Sequence, residues 1–107
     1  MTQLDNRVAL ITGAGRGIGR AIALAYAKAG ANLSLSARTR RELEQTAQEA
    51  EALGARTFIS TTDVADPAQV DKMMQQTLEQ FSTIDILVNN AGVAGPIGPL
   101  HENDVSA

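Results

Sequence analysis

What most limits the fold of this chain is an alternation. Four short runs of strand character, at residues 8–11, 33–37, 56–60 and 84–88, are separated by three longer stretches with apolar side chains at helical spacing. In the first stretch Ile18, Ile22, Ala25 and Ala29 recur on one face, and Gly30 supplies the stop. In the second, over residues 40–53, Leu43, Ala47, Ala50 and Leu53 share a face, and Gly54 ends it. The third opens on Asp66-Pro67, with Asp66 as N-cap, Pro67 at the first helical position and Gln69 completing a capping box. Val70, Met73, Met74, Thr77, Leu78 and Phe81 then follow at helical spacing and read as core packing. Beyond residue 92, Gly95, Pro96, Gly98 and Pro99 mark a loop. The order βαβαβαβ predicts an α/β fold, a parallel sheet covered by helices on both faces. Right-handed crossovers leave few topologies, the simplest being a doubly wound sheet with strand order 3-2-1-4, here incomplete.

Length and composition exclude several functions. With 107 residues the chain forms one domain (residues 1–107), large enough for a core without staples. It has no cysteine, so disulfide and thiolate chemistry are out, and its single His argues against a His-built metal site. No apolar run is long enough to span a membrane, and residues 1–7 are polar, without a secretion signal. The expected compartment is the cytoplasm. The formal charge is −3, but it is unevenly spread: residues 1–57 carry 8 basic and 5 acidic side chains, and residues 58–107 carry 1 and 7. Nucleic-acid binding is not expected, because the only aromatics are Tyr26, Phe58 and Phe81. The basic first half instead suggests a local anion site.

Thr12-Gly13-Ala14-Gly15-Arg16-Gly17-Ile18-Gly19 joins the first strand to the first helix. A phosphate needs exposed backbone N–H groups with no Cβ in the way, and a helix N-terminus entered through glycines provides both. Four glycines in seven residues exceed what a tight turn needs. The P-loop pattern fails at Gly19-Arg20-Ala21, and the G-x-G-x-x-G fingerprint fails because Ile18 stands at its last glycine. What fits is T-G-x-x-x-G-x-G, carried by Thr12, Gly13, Gly17 and Gly19. Asp63-Val64 follows the third strand, and Asp85-Ile86-Leu87-Val88 leads into Asn89-Asn90-Ala91-Gly92. With these paired motifs the chain resembles the short-chain dehydrogenase/reductase family over nearly all of residues 6–100.

That resemblance implies a Rossmann-like NAD(P)-binding oxidoreductase. The loop from Gly13 through Ala14, Gly15, Arg16, Gly17 and Ile18 to Gly19 would hold the pyrophosphate. Asp63 would accept from the adenine amino group, the Val64 backbone would touch the ring, and Asn90 would line the ribose nearby. Ala91 and Gly92 would pass beside the nicotinamide half. NAD binding asks for an acid about 20 positions past the loop, but no Asp or Glu lies between Gly13 and Glu42. Arg38 stands there instead, and Arg16 sits inside the loop. Guanidinium forks suit a 2′-phosphate, so the expected cofactor is NADP(H) ahead of NAD(H).

The family's chemistry also implies a Tyr, a Lys four residues later and a Ser. The only tyrosine is Tyr26, with Gly30 four residues on, so no catalytic residue is assigned. The expectation is the cofactor-binding part of a longer NADPH-dependent carbonyl reductase or alcohol dehydrogenase, in the manner of 3-oxoacyl reductases. It would act on a small-molecule carbonyl or alcohol and form a homo-oligomer when full length. The alternative is a dinucleotide-binding module without catalysis, or an inactive fragment.

Overall fold

A computed structural model describes residues 3–90. Strands β1 (Val8–Thr12), β2 (Asn32–Ala37), β3 (Thr57–Thr61) and β4 (Ile86–Val88) alternate with helices α1 (Gly17–Lys28), α2 (Arg40–Ala52) and α3 (Pro67–Phe81). All pairings are parallel, in the expected order β3-β2-β1-β4. Each strand has one register partner in the next: Ile11 lies beside Leu35 and Val88, and Leu35 beside Ile59. The chain turns back at β1. The strands before β4 add on one side of β1, and β4 adds on the other. That reversal opens a crevice at the strands' carboxyl ends.

Side chains alternate across β2 and assign the two faces. Leu33 and Leu35 join one cluster with Ala9 and Ile11 of β1, Ala23 and Ala27 of α1, and Leu43, Ala47 and Ala50 of α2. Ser34 points the other way, to α3. Its hydroxyl lies 2.7 Å from Thr77 Oγ1. Thr77 spends its own proton on Met73 O at 2.8 Å, so Ser34 is the donor in that pair. Both hydroxyls are fully buried and satisfied by each other.

Several local expectations are corrected. α1 does not fully bury the face of Ile18, Ile22, Ala25 and Ala29: Ile22 packs against the core only in part. The helix buries Gly19, Ala23 and Ala27, while Ile18 is 70% exposed. Small residues let the helix axis approach the sheet closely, and this outweighs the larger side chains' hydrophobicity. At the end of α2, Leu53 is exposed. β4 begins at Ile86, two residues later than expected. Asp85 is used differently: its N–H donates to Val8 O at 2.8 Å, and its Oδ2 accepts from Val8 N at 2.8 Å. Asp66 caps α3 by accepting from Ala68 N at 3.0 Å. Gln69, however, does not close the box onto Asp66 N. Its Nε2 donates to Asp66 Oδ2 at 3.2 Å, and its Oε1 accepts from Asp63 N at 2.8 Å.

Candidate functional site

The glycine loop leaves β1 through two left-handed residues, Gly13 (φ 64°) and Gly17 (φ 61°). A Cβ at either position would be strained by the backbone alone. The loop is fastened on three sides. Toward β2, Ala14 N donates to Ser36 O at 3.1 Å. Toward α2, the buried Thr46 hydroxyl donates to Ala14 O at 3.0 Å. Toward β4, Asn90 Nδ2 donates to Gly13 O at 3.3 Å, and Asn90 N donates to Thr12 Oγ1 at 2.9 Å. Thr12 Oγ1 in turn lies 3.2 Å from Asn89 Oδ1 and 3.4 Å from Val88 O. Thr12 and the Asn pair are thus joined through one hydroxyl.

Two glycines are close-approach positions. A Cβ on Gly19 would come within 2.0 Å of Gly13 O and 2.8 Å of Asn90 Nδ2. A Cβ on Gly15 would come within 2.8 Å of Glu42 Cβ. The first turn of α1 has no side-chain cap and no acidic residue. Arg20 N is the first amide to bond back toward the helix, to Arg16 O at 3.3 Å. The N–H groups of Gly17, Ile18 and Gly19 precede that bond and are available to an anion.

Beside this loop lies a cavity of about 550 Å³. Three segments and one side chain enclose it. The loop contributes Gly13, Gly15, Arg16 and Gly17. The end of β2 and the first turn of α2 contribute Ala37, Arg38, Thr39 and Glu42. The turn after β3 contributes Thr62, Asp63, Val64 and Ala65, and Asn90 closes the β4 side. Eight of the expected residues therefore come together: Gly13, Gly15, Arg16, Gly17, Arg38, Asp63, Val64 and Asn90. Ala14 does not line the cavity; it is fully buried beneath the loop. Gly19 is packed under Gly13, and Ile18 projects into solvent. Ala91 and Gly92 lie outside the described residues.

The cavity's charge is mixed. Arg16 and Arg38 are exposed and make no side-chain hydrogen bond or ion pair among the described residues. Of the other arginines on α1 and α2, Arg20 pairs with Glu49 and Arg40 with Glu44 at 3.1 Å, while Arg41 is also unpaired among the described residues but does not line the cavity. The sequence did not point to five wall residues, Ala37, Thr39, Glu42, Thr62 and Ala65, and Glu42 is the charged one among them. It stands three positions after Thr39, the N-cap position of α2, yet Thr39 makes no side-chain cap bond. Spacing alone gave no sign that the carboxylate reaches the glycine loop. Asp63 Oδ1 accepts from Ala65 N at 2.9 Å, closing a short turn. Its Oδ2 has no partner among the described residues.

The donor set fits a dinucleotide phosphate. Open amides and two uncommitted guanidiniums can take phosphate oxygens, and Asp63 Oδ2 can accept from an amino group. Among the described residues there is no group of side chains able to hold a metal, and no helix long and apolar enough to cross a membrane. Tyr26 is half-buried against the core and cannot serve the cavity.

Residues 7–107 match the short chain dehydrogenase family. The chain is 41% identical over 103 residues to the BbsD subunit of (2S)-[(R)-hydroxy(phenyl)methyl]succinyl-CoA dehydrogenase from Thauera aromatica, covering 94% of this chain and 42% of that one. It is 42% identical over 92 residues to versicolorin reductase stcU from Emericella nidulans, covering 85% and 35%. Among solved structures, carveol dehydrogenase from Mycobacterium avium in complex with NAD superposes with a TM-score of 0.83 at 30% identity, over 87% of this chain and 38% of that one. The chain thus spans about two fifths of the length of the relatives it matches.

Proposed function

The chain belongs to the short-chain dehydrogenase family, and from that premise we propose that it is the cofactor-binding part of an NADPH-dependent oxidoreductase. The observation that carries the cofactor choice is the pair Arg16 and Arg38, both on the cavity wall and both without a protein partner among the described residues. A 2′-phosphate placed between the glycine loop and the end of β2 would meet two guanidiniums. In this reading the loop from Gly13 to Gly19 takes the pyrophosphate, and Asp63 and Val64 take the adenine. Asn90 braces Gly13 and lines the ribose. Ala14 and Gly19 act from beneath, by setting the loop's shape.

Hydride transfer to or from a carbonyl carbon is the chemistry the bound nicotinamide supplies. What this chain's residues do is bind, orient and shield one side of that ring's carrier. The substrate class is a small-molecule carbonyl or alcohol, in keeping with the dehydrogenase and reductase relatives. Nucleic acid and membrane are not partners in this reading, the intact enzyme is a homo-oligomer, and the compartment is the cytoplasm. With Tyr26 half-buried against the core as the single tyrosine, the 107 residues bind cofactor without turnover.

One observation favours NAD(H) as a second reading. Glu42 brings a carboxylate to the same wall, where it could accept from a ribose 2′-OH. Titration with NADPH and NADH separates the two. The NADPH reading requires tighter NADPH, and tighter NADH sinks it.

A further inference from the structure

The turn after β3 carries Asp63 and Val64 but belongs to no strand or helix. Its own bonds give it shape: Ala65 N donates to Asp63 Oδ1 at 2.9 Å, and Asp66 N donates to Asp63 O at 3.0 Å. The first is internal to the turn; the second reaches the N-cap residue of α3, through backbone alone. At one end Thr62 N is anchored to Ala37 O at 2.9 Å. At the other, the side chain that joins Asp63 to α3 is Gln69. Its Oε1 accepts from Asp63 N at 2.8 Å, and its Nε2 donates to Asp66 Oδ2 at 3.2 Å. Asp66 is itself fixed by capping Ala68 N at 3.0 Å. An amide is the one side chain of this length that both accepts from a backbone N–H and donates to a carboxylate. A Glu would set a third carboxylate beside Asp63 and Asp66, and an apolar residue would do neither.

We propose that Gln69 is a positioning residue for base recognition: it holds the Asp63 turn on α3 so that Asp63 Oδ2 stays available to the adenine 6-amino group. The inference rests on the reading of Asp63 as the adenine acceptor and extends it to a residue outside the cavity wall. Gln69 touches no cofactor atom; it acts through Asp63.

The test is a binding titration of the protein with NADPH and with its hypoxanthine analogue, which carries a 6-oxo group where adenine has the amino donor. The wild-type protein binds NADPH more tightly than the analogue. Gln69→Ala lowers that preference by about 2- to 10-fold, the range of one net hydrogen bond. In an Asp63→Asn background, Gln69→Ala changes the preference no further, because the two residues act in series. A merely structural role for Gln69 would weaken both dinucleotides equally, leave their ratio intact and overturn the proposal. An additive loss in the double variant would also overturn it. If the wild-type protein does not distinguish the two, the Asp63 reading itself fails, which is a separate result.

Discussion

At the scale of single residues, the glycines of the loop divide by what a side chain would meet. A Cβ on Gly19 would strike Gly13 O and Asn90 Nδ2. Gly17 has open space around it and is held only by its φ of 61°. Gly19→Ala should therefore cost about 1–3 kcal/mol as overpacking and weaken any dinucleotide, because the loop carbonyl and Asn90 must both move. Gly17→Ala should cost about 1–2 kcal/mol through backbone strain, with no clash inside the protein. Urea unfolding with parallel titration checks this, and a wild-type midpoint for Gly19→Ala would refute the packing argument. The two wall charges make a second pair. Arg38→Ala should weaken NADPH by about 10- to 150-fold, the worth of a charge-assisted hydrogen bond, and leave NADH nearly unchanged. Glu42→Gln removes the opposing charge at constant size and should tighten NADPH. Arg16, Arg38 and Asp63 were legible because each sits at a fixed distance from a motif or a strand end. Glu42 was not, since its place on the wall follows from how α2 leans on Gly15.

At the scale of elements, the βα alternation was readable throughout, and the details that failed are those decided by tertiary contact. Hydrophobicity promised a fully buried face for α1 on Ile18 and Ile22, but Ile18 is exposed and Ile22 packs against the core only in part. The sheet selected Gly19, Ala23 and Ala27 instead, because close approach needs small residues. Asp85 read as part of a strand, whereas its carboxylate takes Val8 N and ties the start of β1 to the start of β4. Asp85→Ala should leave the Val8 amide short of its partner and cost about 1–3 kcal/mol, read as a lower urea midpoint with unchanged slope. An unchanged midpoint would mean water replaces the carboxylate at no cost. Glu49 of α2, bonded first within its own helix and then to α1, carries a pH signature. Glu49 accepts from Gln45 and pairs with Arg20, and these hold its pKa below the ordinary 4.5, against a smaller opposing effect of burial. A depressed carboxylate contributes stability above its unfolded pKa, and that contribution is lost as pH falls through the folded value. Both partners are partly exposed, so the effect is small. Glu49→Gln should flatten the fall in stability below about pH 4.5 and leave neutral stability almost unchanged. A wild-type acid limb in that variant would remove Glu49 from the account.

At the scale of the whole molecule, the charge pattern and the topology point at one crevice. The net charge of −3 would repel a dinucleotide carrying several phosphates. The first half of the chain, with 8 basic and 5 acidic side chains, builds β1, β2 and the glycine loop, and the acids are gathered mainly in the second. Strand order β3-β2-β1-β4 then brings the loop and the end of β2 to the crevice, with Arg16 and Arg38 on its wall. Local attraction of a phosphate thus works against the field of the rest of the chain. The two differ in range. Contacts between a phosphate and an adjacent guanidinium act within a few ångströms, whereas the repulsion is summed over the molecule. Salt shortens the screening length from about 10 Å at 0.1 M to about 3 Å at 1 M, so it removes the long-range repulsion first. It also screens the exposed Arg16 and Arg38, and more strongly for the ligand with the extra phosphate. NADPH affinity should therefore fall with salt more steeply than NADH affinity, and the preference for NADPH should shrink between 0.1 and about 1 M salt. In Arg38→Ala the two salt dependences should converge. Parallel slopes for the two cofactors in the wild-type protein would show that the 2′-phosphate is not held by charge, and would return the choice of cofactor to Glu42.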